Sequence, residues 1–172
     1  VALPSIILFP DPRLRLAAPP VTAFDDALRS LVGDLVALLD ALPAIGLTGP
    51  HIGVLCRATA IRLPGESVRV YVNPRVIAAS AERASHPEGS VSMPSIQETV
   101  ERPARITLHF QDVDGTAHEA EIDGFAAACC QHEIDQLDGV FWLERLSRLK
   151  RERAIKRFDK LGRRAPTPVR TP

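Results

Sequence analysis

Gln131-His132-Glu133-Ile134-Asp135-Gln136 lies in a stretch that Gly124 opens and Gly139 closes, and no other segment constrains the chain as tightly. Glycine at those two points marks a helix boundary at each end. Between them Phe125, Cys129, His132 and Gln136 follow one another by steps of four, three and four, so they form one stripe, with Glu133 beside it. That stripe is not an ordinary apolar core face. Buried His and Gln must find hydrogen-bond partners, and Glu133 flanks them. The run is also one residue short of His-Glu-x-x-His. In that signature two His one helical turn apart grip a metal, and the Glu is base for the metal-bound water. Here the second His position is Gln136. Taken alone, the helix reads equally well as one carrying a buried His with a hydrogen-bond partner.

The rest of the chain reads as α+β, with short, mostly antiparallel strands around that central helix and one further helix near each end. Asp11 to Val21 is a Pro-rich extended segment, and Thr22-Ala23-Phe24-Asp25 has the form of a capping box. Leu28, Leu31, Val32, Leu35, Leu38, Leu39 and Leu42 then recur at helical spacing up to Pro43, which predicts a core-facing helix. A Gly-bearing turn, Ala44 to His51, leads to β-rich runs at Ile52–Val54, Val68–Asn73 and Ile106–Phe110. Asp114-Gly115, between Ile106–Val113 and Thr116–Ile122, predicts a hairpin. Leu146 to Gly162 predicts a basic helix whose Arg and Lys residues form a solvated face, and the Pro-rich tail from about residue 165 reads as loose.

At 172 residues the chain is expected to be one domain, 1–172, with a core of its own. Its 21 basic and 21 acidic side chains balance, so neither nucleic acid nor a membrane surface is an expected partner. No run is apolar for the 18 or so residues of a membrane span, and Val1 to Pro10 lacks the basic start of a signal peptide. Three cysteines, Cys56, Cys129 and Cys130, are an odd number with two adjacent, which fits a reducing cytoplasm better than a disulfide framework.

A second segment, Pro87-Glu88-Gly89-Ser90-Val91-Ser92-Met93-Pro94, sits about forty residues before the helix. With the turn at Gly46 and the His-Glu helix, it resembles the three-motif pattern of peptide deformylases, the metal hydrolases that remove the formyl group from the N-terminal methionine of new bacterial proteins. Those motifs run Gly-x-Gly-Leu-Ala-Ala-x-Gln, Glu-Gly-Cys-Leu-Ser and Gln-His-Glu-x-Asp-His. The resemblance extends in order through Asp11-Pro12-Arg13-Leu14-Arg15, Val72-Asn73-Pro74, Asp138-Gly139-Val140-Phe141 and Leu146-Ser147.

The resemblance implies specific roles. The metal positions are Ser90, where the family has Cys, with His132 and Gln136, where it has two His. The catalytic positions are Glu133 as general base, His51 in place of the Gln that holds the formyl oxygen, and the backbone N–H of Val91 as the other oxyanion donor. Ala44 stands where the first motif begins with Gly. Glu88, Arg102 and Asp135 support the shape of the site. Ile45, Gly46 and Gly89 would edge a groove taking peptide as an added strand. Phe125, Ala128, Cys129 and His132 would line the methionine pocket.

Ser hydroxyl and Gln amide are poor replacements for thiolate and imidazole. The expected function is therefore a deformylase-like protein with a degenerate metal site, no tightly bound cofactor and little ordinary deformylase activity, which binds a peptide or formamide ligand. The alternative is a hydrolase of formylmethionyl peptides or another formamide. It would use a site rebuilt on His51, His132 and one oxygen, with one divalent metal, Fe, Zn or Ni. A fully working deformylase comes last.

Overall fold

A computed structural model of the chain describes residues 3–164. Seven strands make two sheets. β1 (Gly46–Thr48), β2 (Ala58–Ile61), β3 (Arg69–Ala79), β6 (Arg105–Gln111) and β7 (Ala117–Asp123) form an antiparallel sheet in the order β1-β2-β3-β6-β7. β4 (Arg83–Ser90) and β5 (Met93–Pro103) form a separate long hairpin. The helices are α1 (Asp26–Ala41), α2 (Gly124–Leu137) and α3 (Arg148–Arg164). The α+β class and the central place of the His-Glu helix are as the sequence predicts, whereas the loose tail at 165–172 lies outside the described residues.

The Leu stripe does what its spacing requires. Leu31, Leu35, Leu38 and Leu39 of α1 are buried against Leu47 of β1 and Ala60 of β2. The start of that helix differs from the expected capping box. Asp25, not Thr22, is the cap, and its Oδ1 accepts the backbone N–H groups of Ala27 and Leu28 at 3.1 Å each. An Asp accepts two of the orphan amides of the first turn from one position, which leaves no need for a reciprocal box. The helix ends at Ala41, two residues before Pro43.

The strand expected at Ile52–Val54 is absent. Gly49–Ile52 is a 3-10 turn closed by Gly53 at φ 79°, and the strand comes later, at Ala58–Ile61, with all four residues buried. Gly49-Pro50 breaks the ladder and the left-handed Gly53 reverses the chain, so a short apolar run there does not become a strand. The expected Val68–Asn73 strand runs on to Ala79 through a register shift between Val72 and Arg75. Asn73 occupies that bulge at φ 51° and ties the entering chain down, exchanging hydrogen bonds with the N–H and C=O of Val21 at 2.7 and 2.9 Å. The Asp114-Gly115 hairpin is present. Asp112 accepts the N–H of Asp114 and of Thr116 at 3.0 Å, and Gly115 takes φ 88°.

α2 packs one face on the five-stranded sheet, where Ala127, Cys130 and Ile134 meet Ile61, Tyr71, Ile106 and Leu108. The β4–β5 hairpin is held mainly from beyond α2. Met93, Ile96 and Val100 pack with Phe141, Trp142, Leu143, Leu146 and Ala154. Gly139, at φ 75°, closes α2, and a Cβ there would lie 2.6 Å from the carbonyl oxygen of Arg15. That close approach brings the segment around Leu14 against the end of the His-Glu helix.

Candidate functional site

Three pieces of backbone converge on a cavity of about 1130 Å³. The turn after β1 contributes His51, the β4–β5 turn contributes Glu88, Gly89, Ser90 and Val91, and α2 contributes Phe125, Ala128, Cys129, His132 and Glu133. Ile45 and Gly46 form its rim. The convergence depends on two glycines. At Gly46 a Cβ would occupy the space that the Glu133 carboxyl fills, and at Gly89 a Cβ would lie 2.8 Å from the carbonyl oxygen of Ile96 across the hairpin.

One wall of the site is a chain of buried ionic bonds. Arg102 donates to both oxygens of Glu88, Nε to Oε1 at 2.5 Å and Nη2 to Oε2 at 2.9 Å, and its Nη1 donates to Asp135 at 2.8 Å. Asp135 also accepts from Arg145, at 2.5 and 2.8 Å. At the inner end His132 Nδ1 lies 2.8 Å from Glu88 Oε2. Burial opposes the charge on Glu88, but Arg102 and His132 outweigh it and hold its pKa at about 2. With Glu88 ionised, His132 carries its proton on Nδ1, which leaves Nε2 as its remaining nitrogen. Burial also works against a charged His132, yet Glu88 and Glu133 prevail and raise its pKa above the ordinary value.

The floor is different. Glu133 is 5% exposed, and its Oε2 has no hydrogen-bond partner. Burial is the main cause that pushes its pKa up to about 7. His51 is 1% exposed; burial, then the nearby His132, lowers its pKa to about 3. Its Nδ1 accepts the backbone N–H of Thr48 at 3.0 Å, while its Nε2 is buried without a partner. A backbone N–H is always a donor, so Nδ1 presents a lone pair and the ring proton sits on Nε2. Cys129 on the same cavity is held as the thiol, its pKa raised to about 12 by burial and Glu133.

The donor set for a metal can be read from these bonds. The Gln136 amide lies outside the cavity lining, and its Nε2 donates 2.8 Å to the carbonyl oxygen of Leu14. The Ser90 hydroxyl accepts the N–H of Ser92 at 3.1 Å. His51 offers the cavity an N–H rather than a lone pair. Among the described residues no three His, Cys, Asp or Glu side chains are grouped so as to hold an ion. Of the three positions the sequence pattern marks for metal, His132 and Ser90 face the cavity and Gln136 does not. Arg102 and Asp135, part of the ionic wall, also lie outside the cavity lining.

Several contributors had not been singled out from the sequence. Thr48, which orients His51, lies inside the first motif segment at a position to which the motif assigns no role, and Arg145, which extends the ionic chain, carries no periodic or motif signal. Arg157, Lys160 and Leu161 of α3 line the far end of the cavity, and Arg157 donates to Glu98 at 2.6 Å. Their spacing of three and four puts them on one face. That part of α3 is thus not wholly the solvated face expected of it.

A helix-borne Glu beside a His is set in a groove between the edge of the five-stranded sheet and a separate hairpin. The chain belongs to the polypeptide deformylase family, whose model matches residues 3–152. A peptide deformylase-like protein of Brucella melitensis is 53% identical over 159 residues, covering 92% of this chain and 97% of that one. A peptide deformylase of Bradyrhizobium diazoefficiens is 40% identical over 173 residues, covering 96% and 99%. The crystal structure of a peptide deformylase from Legionella pneumophila superposes with a TM-score of 0.89 at 34% identity, over 96% of this chain and 100% of that one. The fold expected from the three motifs is therefore the fold observed.

Proposed function

We propose that this deformylase-family protein keeps the groove for a peptide N-terminus but holds no metal, and that it does not carry out ordinary formyl-methionine hydrolysis. The observation that carries this reading is the poverty of the donor set: among the described residues no three His, Cys, Asp or Glu side chains are grouped on this cavity so as to hold an ion. Gln136 lies outside the cavity lining, its amide N–H turned to the carbonyl oxygen of Leu14, and Ser90 offers only a neutral hydroxyl that also accepts from the N–H of Ser92. His51 points a hydrogen where a ligand needs an electron pair. His132 then stands as a single imidazole, far short of a structural zinc set worth roughly 10 kcal/mol or more. The same tautomer argues against a site rebuilt on His51 and His132. Glu133 remains the group in the base position, but without a metal it would face bulk water of pKa about 15.7. Val91 keeps its place beside Ser90 as a backbone donor, and Ile45, Gly46, Gly89, Phe125, Ala128 and Cys129 keep the groove open to an extended chain.

Three free cysteines suit a reducing cytoplasm, and no described helix is long and apolar enough to cross a membrane. The test is elemental analysis of the dialysed protein together with formate release from formyl-Met-Ala-Ser. We expect less than one-tenth of an equivalent of iron, nickel or zinc and formate release at background. A stoichiometric metal, or turnover abolished by Glu133→Ala, overturns the reading.

A further inference from the structure

The charges that line the cavity are sorted along its length. Among the described residues its Arg and Lys side chains are Arg157 and Lys160, both on α3 at the far end, while its carboxyl groups, Glu88 and Glu133, stand at the inner end. The path between the ends follows one segment. A Cβ on Gly46 would meet the Glu133 carboxyl, and the cavity wall continues outward from there through Ile45 and Ala44 to Leu42. At about 1130 Å³ the cavity exceeds the roughly 300–1,000 Å³ of ordinary small-ligand sites. A ligand that places only its N-terminal residue at the inner end leaves the α3 end empty, so the far end has meaning only for a ligand that runs on.

Arg157 and Lys160 stand three residues apart on α3 and so share a face. Arg157 is half-exposed and already paired: its Nη2 donates to Glu98 Oε1 at 2.6 Å and to the carbonyl oxygen of Gln97 at 3.4 Å. A guanidinium carries five N–H donors, and the remaining ones are open to a ligand. Lys160 forms no ion pair with any carboxylate of the described residues. Arg157 and Glu98 offset each other, so Lys160 leaves this end with positive charge in excess. A lysine in bulk water needs no partner. On the wall of a groove, a bound chain displaces that water, and the lysine then favours an anionic group on the chain and opposes a cationic one.

We propose that the α3 end of the groove is an anion subsite, in which Lys160, with Arg157 beside it, receives a carboxylate that the bound peptide carries beyond its N-terminal residue. That carboxylate is an acidic side chain or the free C-terminus of a short peptide. The proposal rests on the groove reading above and adds the distal chemistry of the ligand to it. Glu98 tunes the subsite, because it takes up the charge of Arg157.

The test is calorimetric binding of peptides to the full chain. The neutral reference is formyl-Met-Ala-Ser-Ala-Ala-amide. A single Glu or a single Lys is moved through its third, fourth and fifth positions, since an extended chain advances about 3.3–3.6 Å per residue. The peptides of three, four and five residues are also compared as free acids and as amides, which separates a terminal carboxylate from a side-chain one. At least one Glu or free-acid peptide should bind about fivefold or more tighter than its neutral counterpart, with Lys at the same position weaker. The preference should shrink in about 0.5 M sodium chloride.

Two substitutions then move the preference in opposite directions. Lys160→Glu should reverse it, so that the Lys peptide binds tighter than the Glu peptide. Glu98→Gln frees the charge of Arg157 and should tighten the favoured acidic peptide by about threefold while leaving the neutral reference unchanged. If the Lys160 variant does not fold, the Glu98 variant decides the matter. Equal affinity for acidic, neutral and basic peptides overturns the anion subsite and leaves the groove reading standing. An acidic preference that neither substitution alters places the carboxylate elsewhere and also overturns it. No binding of any peptide overturns both.

Discussion

Glu88 and Glu133 are buried carboxyl groups on the same cavity, and the fold treats them in opposite ways. Glu88 accepts from Arg102 through both oxygens and is bonded to His132 as well, and its pKa is held at about 2. Glu133 keeps Oε2 free, and burial drives its pKa up to about 7. The first belongs to a wall in which every charge has a partner. The second belongs to a floor in which burial, not an ion pair, sets the protonation state. A buried carboxyl oxygen without a hydrogen-bond partner in the protein favours the neutral acid, which is why the two groups differ in charge near neutral pH.

If wall and floor are separate, the floor can be changed without loss of the wall. The largest effect expected is therefore the recovery of a metal. Ser90→Cys with Gln136→His and His51→Gln supplies a thiolate and a second imidazole one turn from His132, and removes the misplaced N–H. A full set of this kind provides roughly 10 kcal/mol or more in small peptides. Elemental analysis of the dialysed triple variant should give close to one zinc per chain, and a chelator should lower its thermal transition. A folded triple variant with no metal would mean that the wall has moved His132 away from the geometry of its relatives, or that the Leu14 contact governs position 136. The separation of wall and floor would then be lost.

The next effect attacks the wall. Arg102→Met leaves buried Glu88 with His132 alone and Asp135 with the half-exposed Arg145 alone, which costs about 3–5 kcal/mol near neutral pH. Denaturant unfolding of this variant against wild type gives the number directly. A cost under about 1 kcal/mol would show that water reaches the cluster and that the wall is no more closed than the floor.

Much of this contrast is legible in the sequence, and the parts that are not share a physical reason. The Leu28–Leu42 stripe, the Asp114-Gly115 hairpin and the Gly124–Gly139 helix are local patterns, set by spacing and turn chemistry, and they come out where expected. Glu88, Arg102 and Asp135 were placed through the resemblance, and the structure joins them. The apolar run at Ile52–Val54 predicts a strand that Gly49-Pro50 and the left-handed Gly53 prevent, and the strand forms at Ala58–Ile61 instead. The hairpin at Arg83–Pro103 has Pro87 and Gly89 within its strands, residues that argue against a strand unless a bulge takes them up. Gln136 turning to Leu14, Thr48 orienting His51, and Arg145 reaching Asp135 are contacts between separate turns, helix and strand ends. No periodicity records such contacts, so the donor atoms of the floor could be read only in three dimensions.

A smaller effect comes from proton linkage, and its sign differs between the two carboxyl groups. Glu88, with a folded pKa of about 2 against an ordinary 4.5, contributes stability that is complete above pH 4.5 and is lost as pH falls toward 2. Glu133 behaves inversely. Its folded pKa of about 7 lies above the ordinary 4.5, so its contribution is complete below pH 4.5 and is lost as pH rises through 7. At pH 9 that loss is about 3 kcal/mol. Glu133→Gln removes this second dependence and, with it, the Glu133 share of the raised pKa of His132, while leaving the dependence of Glu88 in place. Its stability relative to wild type should therefore rise by about 3 kcal/mol between pH 4 and pH 9, measured by denaturant unfolding at each pH. A difference that stays flat would show that Glu133 finds a partner in solution, and the contrast with Glu88 would close.

The smallest effect tests where the wall ends. Arg145 makes two bonds to Asp135, but its side chain is 49% exposed, against 5% for Arg102. Water therefore screens the outer pair, and after Arg145→Ala the Asp135 carboxylate still has Arg102. A loss of about 1 kcal/mol or less is expected, or roughly 2–4 °C in the thermal transition of a chain this long. Added salt gives a second readout. About 0.5 M sodium chloride should shrink the effect of Arg145→Ala, because exposed charges are screened over a few ångströms, and leave the larger effect of Arg102→Met nearly unchanged. If the two substitutions cost the same and neither responds to salt, the five charged groups act as one unit from the surface to His132. Arg145 would then belong to the site itself, and the wall would extend to the solvent.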